Sequence, residues 1–143
     1  MYLIEKISVK NPTCNNGSTP LHMAANFGHA NVCELIMKQI EIKNPRDIIG
    51  RTPLHYAAKS SSVKVYEMLM KDVQNKNPMS WTRITPLHLS AKCGHVEVCM
   101  MILQNVKEKN PRNQDGKTPL AIARENKQLK VCWLLEKIWS CVT

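Results

Sequence analysis

The chain has 143 residues, 43% of them hydrophobic, enough for one domain with a core of ordinary size. No stretch approaches the roughly 20 apolar residues of a membrane span, and the opening Met1-Tyr2-Leu3-Ile4-Glu5-Lys6 is too short an apolar run for a secretory signal. The net charge of +9 and pI near 9.4 fit either a solvated basic surface or an acidic partner, an anionic surface or nucleic acid, but a single Phe and 5% aromatic residues leave little with which to stack unpaired bases.

Read in order, the chain repeats itself. Thr19-Pro20-Leu21-His22 returns as Thr52-Pro53-Leu54-His55 and Thr85-Pro86-Leu87-His88, with a worn copy at Thr118-Pro119-Leu120-Ala121, always at a step of 33 residues. Lys10-Asn11-Pro12, Lys43-Asn44-Pro45, Lys76-Asn77-Pro78 and Lys109-Asn110-Pro111 keep the same step. Leu3 and Ile7 fall in the register of Ile36 and Ile40, so residues 1–10 read as the second half of an earlier unit. That unit is either a half-repeat cap or part of a longer array, and the apolar start favours the array, since the end of a stack needs a polar face.

In the first unit Asn16-Gly17-Ser18 matches a glycosylation sequon but reads as a turn. Thr19 is a helix N-cap and Pro20 suits the first helical position, where a missing N–H costs nothing. The same logic predicts helices from Pro53, Pro86 and Pro119. Leu21, Ala24 and Ala25 line one face of the first helix, Gly28 ends it in a left-handed conformation, and Ala30, Val32, Leu35 and Ile36 form the stripe of a second helix. The second unit has Val63, Val65, Met68 and Leu69 in that stripe and Ser61 in the place of the glycine, at a cost on the order of 1 kcal/mol if its φ is positive. The third has Gly94 and a stripe of Val96, Val98, Met101 and Ile102, with Arg83 where Gly17, Gly50 and Gly116 stand, and Trp81 two residues before it. In the fourth, Arg124 replaces Ala25, Ala58 and Ala91, which reads as a face turned to solvent, and Trp139 falls in the register of Ile7 and Val106.

Self-similarity at this period signals stacked repeats, and the T-P-L-H signature resembles that of the ankyrin-repeat family over nearly the whole chain. The resemblance implies an all-α ankyrin-repeat solenoid, built of helix-turn-helix repeats with β-hairpin fingers. It would form one domain over 1–143, with a partial repeat at 1–10 and repeats at about 11–43, 44–76, 77–109 and 110–143. It implies a non-enzymatic module that binds other proteins and needs no cofactor, and it implies that the histidine of each T-P-L-H bonds finger backbone to tie repeats together. One departure runs through every copy: Ile40, Val73 and Val106 replace the family's glycine at the close of the second helix.

The histidines are all accounted for by the repeat: His22, His55 and His88 by the signature, His29 and His95 by the turn after it. No C-x-x-C pair suggests zinc. Cys33, Cys99 and Cys132 share one register, and equivalent residues of stacked repeats lie roughly 8–10 Å apart, beyond the about 7 Å a disulfide spans. A reducing compartment, cytoplasm or nucleus, is expected. Lys10, Lys43, Lys76 and Lys109 should form a row, flanked by Arg46 and Arg112, that is either a solvated ladder or a basic track. The track supports an alternative function, the binding of nucleic acid or an anionic surface, with nucleic acid the less favoured partner. Specificity for a protein partner must come from residues that differ between repeats. At the finger tips these include Ser18 and, as the stronger candidates, Ile48, Ile49, Arg51, Trp81 and Ile84; on the first helices they are Phe27, Lys59, Lys92 and Cys93. The expected partner is an acidic protein and the expected state a monomer.

Overall fold

The computed structural model describes residues 13–142. The expectations for Leu3, Ile7, the Lys10 copy and the Trp139 side chain lie outside the described residues. Among the described residues eight helices follow one another: α1 (Pro20–Asn26), α2 (Ala30–Gln39), α3 (Pro53–Lys59), α4 (Val63–Met70), α5 (Pro86–Cys93), α6 (Val96–Asn105), α7 (Pro119–Glu125) and α8 (Leu129–Val142). They form two layers, odd-numbered helices side by side in one and even-numbered helices in the other.

Each odd-numbered helix starts where its threonine and proline dictate. Thr19, Thr52 and Thr85 are extended N-caps, and each forms a capping box with the histidine three residues on. Thr118 keeps the cap, accepting from the Ala121 N–H at 3.1 Å, but the box is lost with the histidine. The short helices end in turns that need positive φ. Gly28 and Gly94 supply it at no cost, whereas Ser61 (φ 63°) and Lys127 (φ 57°) hold it against the clash of their Cβ atoms, at about 1–2 kcal/mol each.

The buried stripe of the even-numbered helices lies one residue further along than the alternation of Val and Leu predicts. In α2 it is Cys33, Ile36 and Met37, continued by Ile40; in α4 Val65, Tyr66, Leu69 and Met70; in α6 Val98, Cys99, Ile102 and Leu103. Val32 and Leu35 are exposed, while Val63, Met68, Val96 and Met101 are half-buried flanks. Cys33, Ile36, Met37 and Ile40 make an unbroken i, i+3, i+4, i+7 face once cysteine and methionine count as full apolar residues. Tyr66 takes the place of the cysteines in repeat 2, fully buried, its hydroxyl donating to the Lys76 carbonyl at 2.8 Å.

The missing glycine at the close of each second helix has a substitute. The Lys43 ammonium donates to the carbonyls of Met37 and Ile40, and Lys76 to those of Met70 and Val73. Lys109 does the same for Leu103 and Val106, at 2.5 and 2.6 Å. The carbonyls of Met37, Met70 and Leu103 belong to the last turn of their helices and have no partner within them, and the cation also sits at the negative end of the helix dipole. Lys43, Lys76 and Lys109 are therefore half-buried and capping, where the sequence left open either a solvated ladder or a basic track.

The two layers differ in spacing. The odd-numbered helices meet closely through Ala24, Ala25, Ala57, Ala58, Ser90, Ala91 and Ala123, all buried, and the even-numbered ones, with larger residues on their flanks, contact each other far less. The close row forms the inner side of the stack. The wider row leaves grooves on the outer side.

A candidate partner-binding face on the fingers and inner helices

The fingers are built by main-chain bonds that recur at the repeat step. In finger 2, Asp47 N–H donates to the Arg51 carbonyl at 2.8 Å and Gly50 N–H to the Asp47 carbonyl at 3.0 Å. The same pair closes the fingers at Cys14–Ser18, Ser80–Ile84 and Asn113–Lys117. Among the described residues no β-strand results, so the hairpin fingers the resemblance implies are tight turns here. Side chains reinforce all four: Asp47 Oδ1 accepts from Ile49 and Arg51 N–H, Asn113 Oδ1 from Asp115 and Lys117 N–H, Ser80 Oγ from Ile84 N–H and Asn16 Oδ1 from Ser18 N–H. Arg46 and Arg112 brace the same loops, each Nη1 donating to the carbonyl of its finger glycine, Gly50 or Gly116.

Neighbouring fingers are joined at tip and base. At the tips Ile48 N–H donates to the Asn16 carbonyl, Trp81 N–H to Ile49 and Gln114 N–H to Thr82, at 2.9–3.0 Å. At the base, Nε2–H of His22, His55 and His88 donates to the carbonyls of Arg51, Ile84 and Lys117, at 2.8, 2.7 and 2.9 Å, while Nδ1 accepts the N–H of Thr19, Thr52 or Thr85. This is the role the resemblance implies. It requires a neutral ring with its proton on Nε2. Burial holds all three rings below the ordinary histidine range, His55 at about 4. Each is committed to the backbone on both nitrogens, which leaves no basic atom for catalysis.

A further joint has no counterpart in the signature. His95 Nε2–H donates to the Lys59 carbonyl at 3.0 Å, and Gln128, in the same register, to the Lys92 carbonyl at 3.0 Å. Ser60 Oγ reaches the Ala25 carbonyl at 3.2 Å. The turns between helices are thus bridged from repeat to repeat by whatever donor is present. His and Gln in one register, with Ser60 crossing from a position two residues short of it, give no motif to read.

The sequence-predicted binding residues fall into three groups on this scaffold. Ile48, Ile49 and Trp81 stand at adjacent finger tips, 67%, 46% and 63% exposed, with Ile49 and Trp81 linked through the main chain. Trp81 is held against finger 2: a Cβ on Gly50 would come within 2.5 Å of its ring, and the Arg46 guanidinium sits 4.9 Å from the ring centroid. One part of the indole is therefore structural and the remainder open to solvent. Arg51, Ile84 and Lys92 line one inner groove of about 240 Å³ with Leu89, Lys117 and Glu125. Phe27, 63% exposed, is at the end of α1, stacked on His29 at 6.1 Å, while Lys59 and Cys93 are exposed at the ends of α3 and α5. Ser18 does not belong to the face: it is buried, with its hydroxyl 2.9 Å from that of Tyr56, which donates to Asp47 Oδ2 at 2.6 Å.

The surface charge here is one-sided. Arg46, Arg83, Arg112, Lys59 and Lys92 are exposed with no acidic partner among the described residues, while Glu125 is paired with Lys117 at 2.7 Å and Asp115 alone is an exposed finger carboxylate. The buried Asp47 is spent on the finger.

Helical pairs in two layers, joined through fingers by T-P-L-H histidines, define a repeat solenoid of the ankyrin class. The family model for ankyrin repeats (3 copies) matches residues 1–80 and again 71–138, and the chain belongs to that family. No curated protein matches it. Ankyrin repeats are generally protein–protein interaction modules and typically non-enzymatic.

Proposed function

We propose that this chain is a protein-binding scaffold whose partner lies across the fingers and the inner helices of repeats 1–3, and that the partner surface is acidic. The observation that carries this is the exposure of Ile48, Ile49 and Trp81 at neighbouring tips, where finger construction uses only the main chain of the two isoleucines and one part of the Trp81 indole. Exposed apolar and aromatic residues gathered at one place mark interaction sites, and such anchors dominate interface energy. The unpaired arginines and lysines around them favour acidic groups on the partner and raise its rate of approach. Phe27, Arg51, Lys59, Ile84, Lys92 and Cys93 would extend the contact along the inner face. Free thiols at Cys14, Cys33, Cys93, Cys99 and Cys132 support a reducing compartment, cytoplasm or nucleus.

The test is comparative capture with wild-type chain and an Ile48→Asp/Ile49→Asp variant as baits, which differ only at exposed side chains. A partner retained by the first and lost by the second, with equal thermal melting of the two baits, is the expected result. Equal capture by both rejects this face. Trp81→Ala alone is a poorer test, because its contact with Gly50 makes some loss of stability unavoidable.

A further inference from the structure

The outer side of the stack carries a feature independent of the fingers. Between α2 and α4 the groove left by the spread outer helices is lined by charge of both signs, with Glu34, Lys38, Lys64 and Glu67 among its walls. Between α6 and α8 the equivalent groove, about 450 Å³, is apolar: Val96, Met100, Leu129, Trp133 and Leu134, with Lys130 alone bearing charge. Met100 and Trp133 stand at the repeat positions of Glu34 and Glu67. The fold thus has no need of an apolar residue there, and repeats 1 and 2 show what it accepts instead. Met100, Trp133 and Leu129 are nonetheless 42%, 61% and 78% exposed.

The charges around this groove are predominantly positive. Lys130 is in its wall, Lys137 has its ammonium 4.7 Å from the centroid of the Trp133 ring, and Lys127 is exposed at the entry to α8. Glu97 is exposed on α6, and Glu136 is already engaged by Arg124 at 2.8 Å.

We propose that the α6–α8 groove is a second docking site, which takes an amphipathic helix from a protein partner with acidic residues beside its apolar stripe. A groove between two neighbouring helices admits the ridge of a third, and helix-in-groove recognition uses apolar anchors spaced three and four residues apart. Trp133 and Met100 supply the apolar surface, and the lysines at the rim select the charge of the flanks. A second copy of this chain fits poorly, since it would bring Lys130 and Lys137 against their own kind on a molecule of net charge +9.

The experiment selects a displayed library of helical peptides against the intact chain. The peptides carry leucine and aromatic anchors at helical spacing, with either Glu or Lys at the flanking positions. Glu-flanked helices should be enriched over Lys-flanked ones. Their affinity should fall about tenfold or more for Met100→Glu/Trp133→Glu, which restores the residue type of repeats 1 and 2, with an unchanged circular dichroism spectrum. It should be unaffected by Ile48→Asp/Ile49→Asp, so this site and the finger face fail or stand separately. The proposal is overturned if no helix is enriched, if Lys-flanked helices are enriched equally, or if the double Glu variant binds as well. It is equally overturned if the groove residues instead support a dimer in sedimentation, or binding to phosphatidylserine vesicles, that the double Glu variant abolishes.

Discussion

At Thr19, Thr52 and Thr85 the main-chain N–H meets an imidazole nitrogen, so each of three buried rings must stay neutral for its finger to hold. The folded histidines bind protons less readily than the unfolded chain, whose histidines titrate near 6.5. Their contribution to stability is complete above about pH 7 and declines as the pH falls, because the unfolded state takes up protons that the folded state refuses. For His55, whose folded value is about 4, the loss by pH 4 is about 3 kcal/mol. Urea midpoints should fall steadily from pH 7 to pH 4, and His55→Gln, less stable at pH 7, should show a shallower decline. An identical pH slope in the variant would count against the neutral ring. The role of these histidines was legible because T-P-L-H repeats. That of His95 was not, since Gln stands at the equivalent position in repeat 4 and only the folded stack shows the Lys59 and Lys92 carbonyls as their common kind of target.

The second helices show how an element can be found correctly and its ends misjudged. Their existence followed from apolar spacing, but the absence of a closing glycine at Ile40, Val73 and Val106 left their termination unexplained. The Lys-Asn-Pro copies, which look like surface charge, supply it. A lysine reaching back three and six residues to orphan carbonyls leaves no periodic apolar signal, and its repetition alone cannot separate a cap from a basic track. Lys76→Met keeps the length of the stem and removes the donor shared by the Met70 and Val73 carbonyls, leaving Met70 only the long bond from Val73 N–H at 3.5 Å. It should cost about 1–2 kcal/mol in urea unfolding. An unchanged midpoint would return these lysines to the free surface.

For the molecule as a whole, stability resides in contacts between neighbouring repeats, and two buried thiols allow the coupling to be followed. Burial pushes Cys33 in repeat 1 and Cys99 in repeat 3 up to about 11, so neither forms a reactive thiolate in the folded stack, whereas Cys14 and Cys93 are exposed. Alkylation with mass spectrometry should mark Cys14 and Cys93 at once and Cys33 and Cys99 only at the unfolding transition. With every finger joined to the next at tip and base, both buried thiols should become reactive at one urea concentration. Separate midpoints would mean that the stack breaks between repeats 1 and 3. The candidate face was legible as a set of tip residues that the scaffold does not require, but the anchoring of Trp81 on Gly50 and the burial of Ser18 under Tyr56 were not, because both depend on contacts between repeats. The histidine joints also bear on how such chains change over generations. Every ring addresses a peptide carbonyl, at Arg51, Ile84 or Lys117, and is indifferent to the side chain that follows it. At these joints a unit can therefore be duplicated or exchanged without its neighbours adapting, and mutation at Arg51 or Ile84, proposed here as partner contacts, leaves the bond untouched.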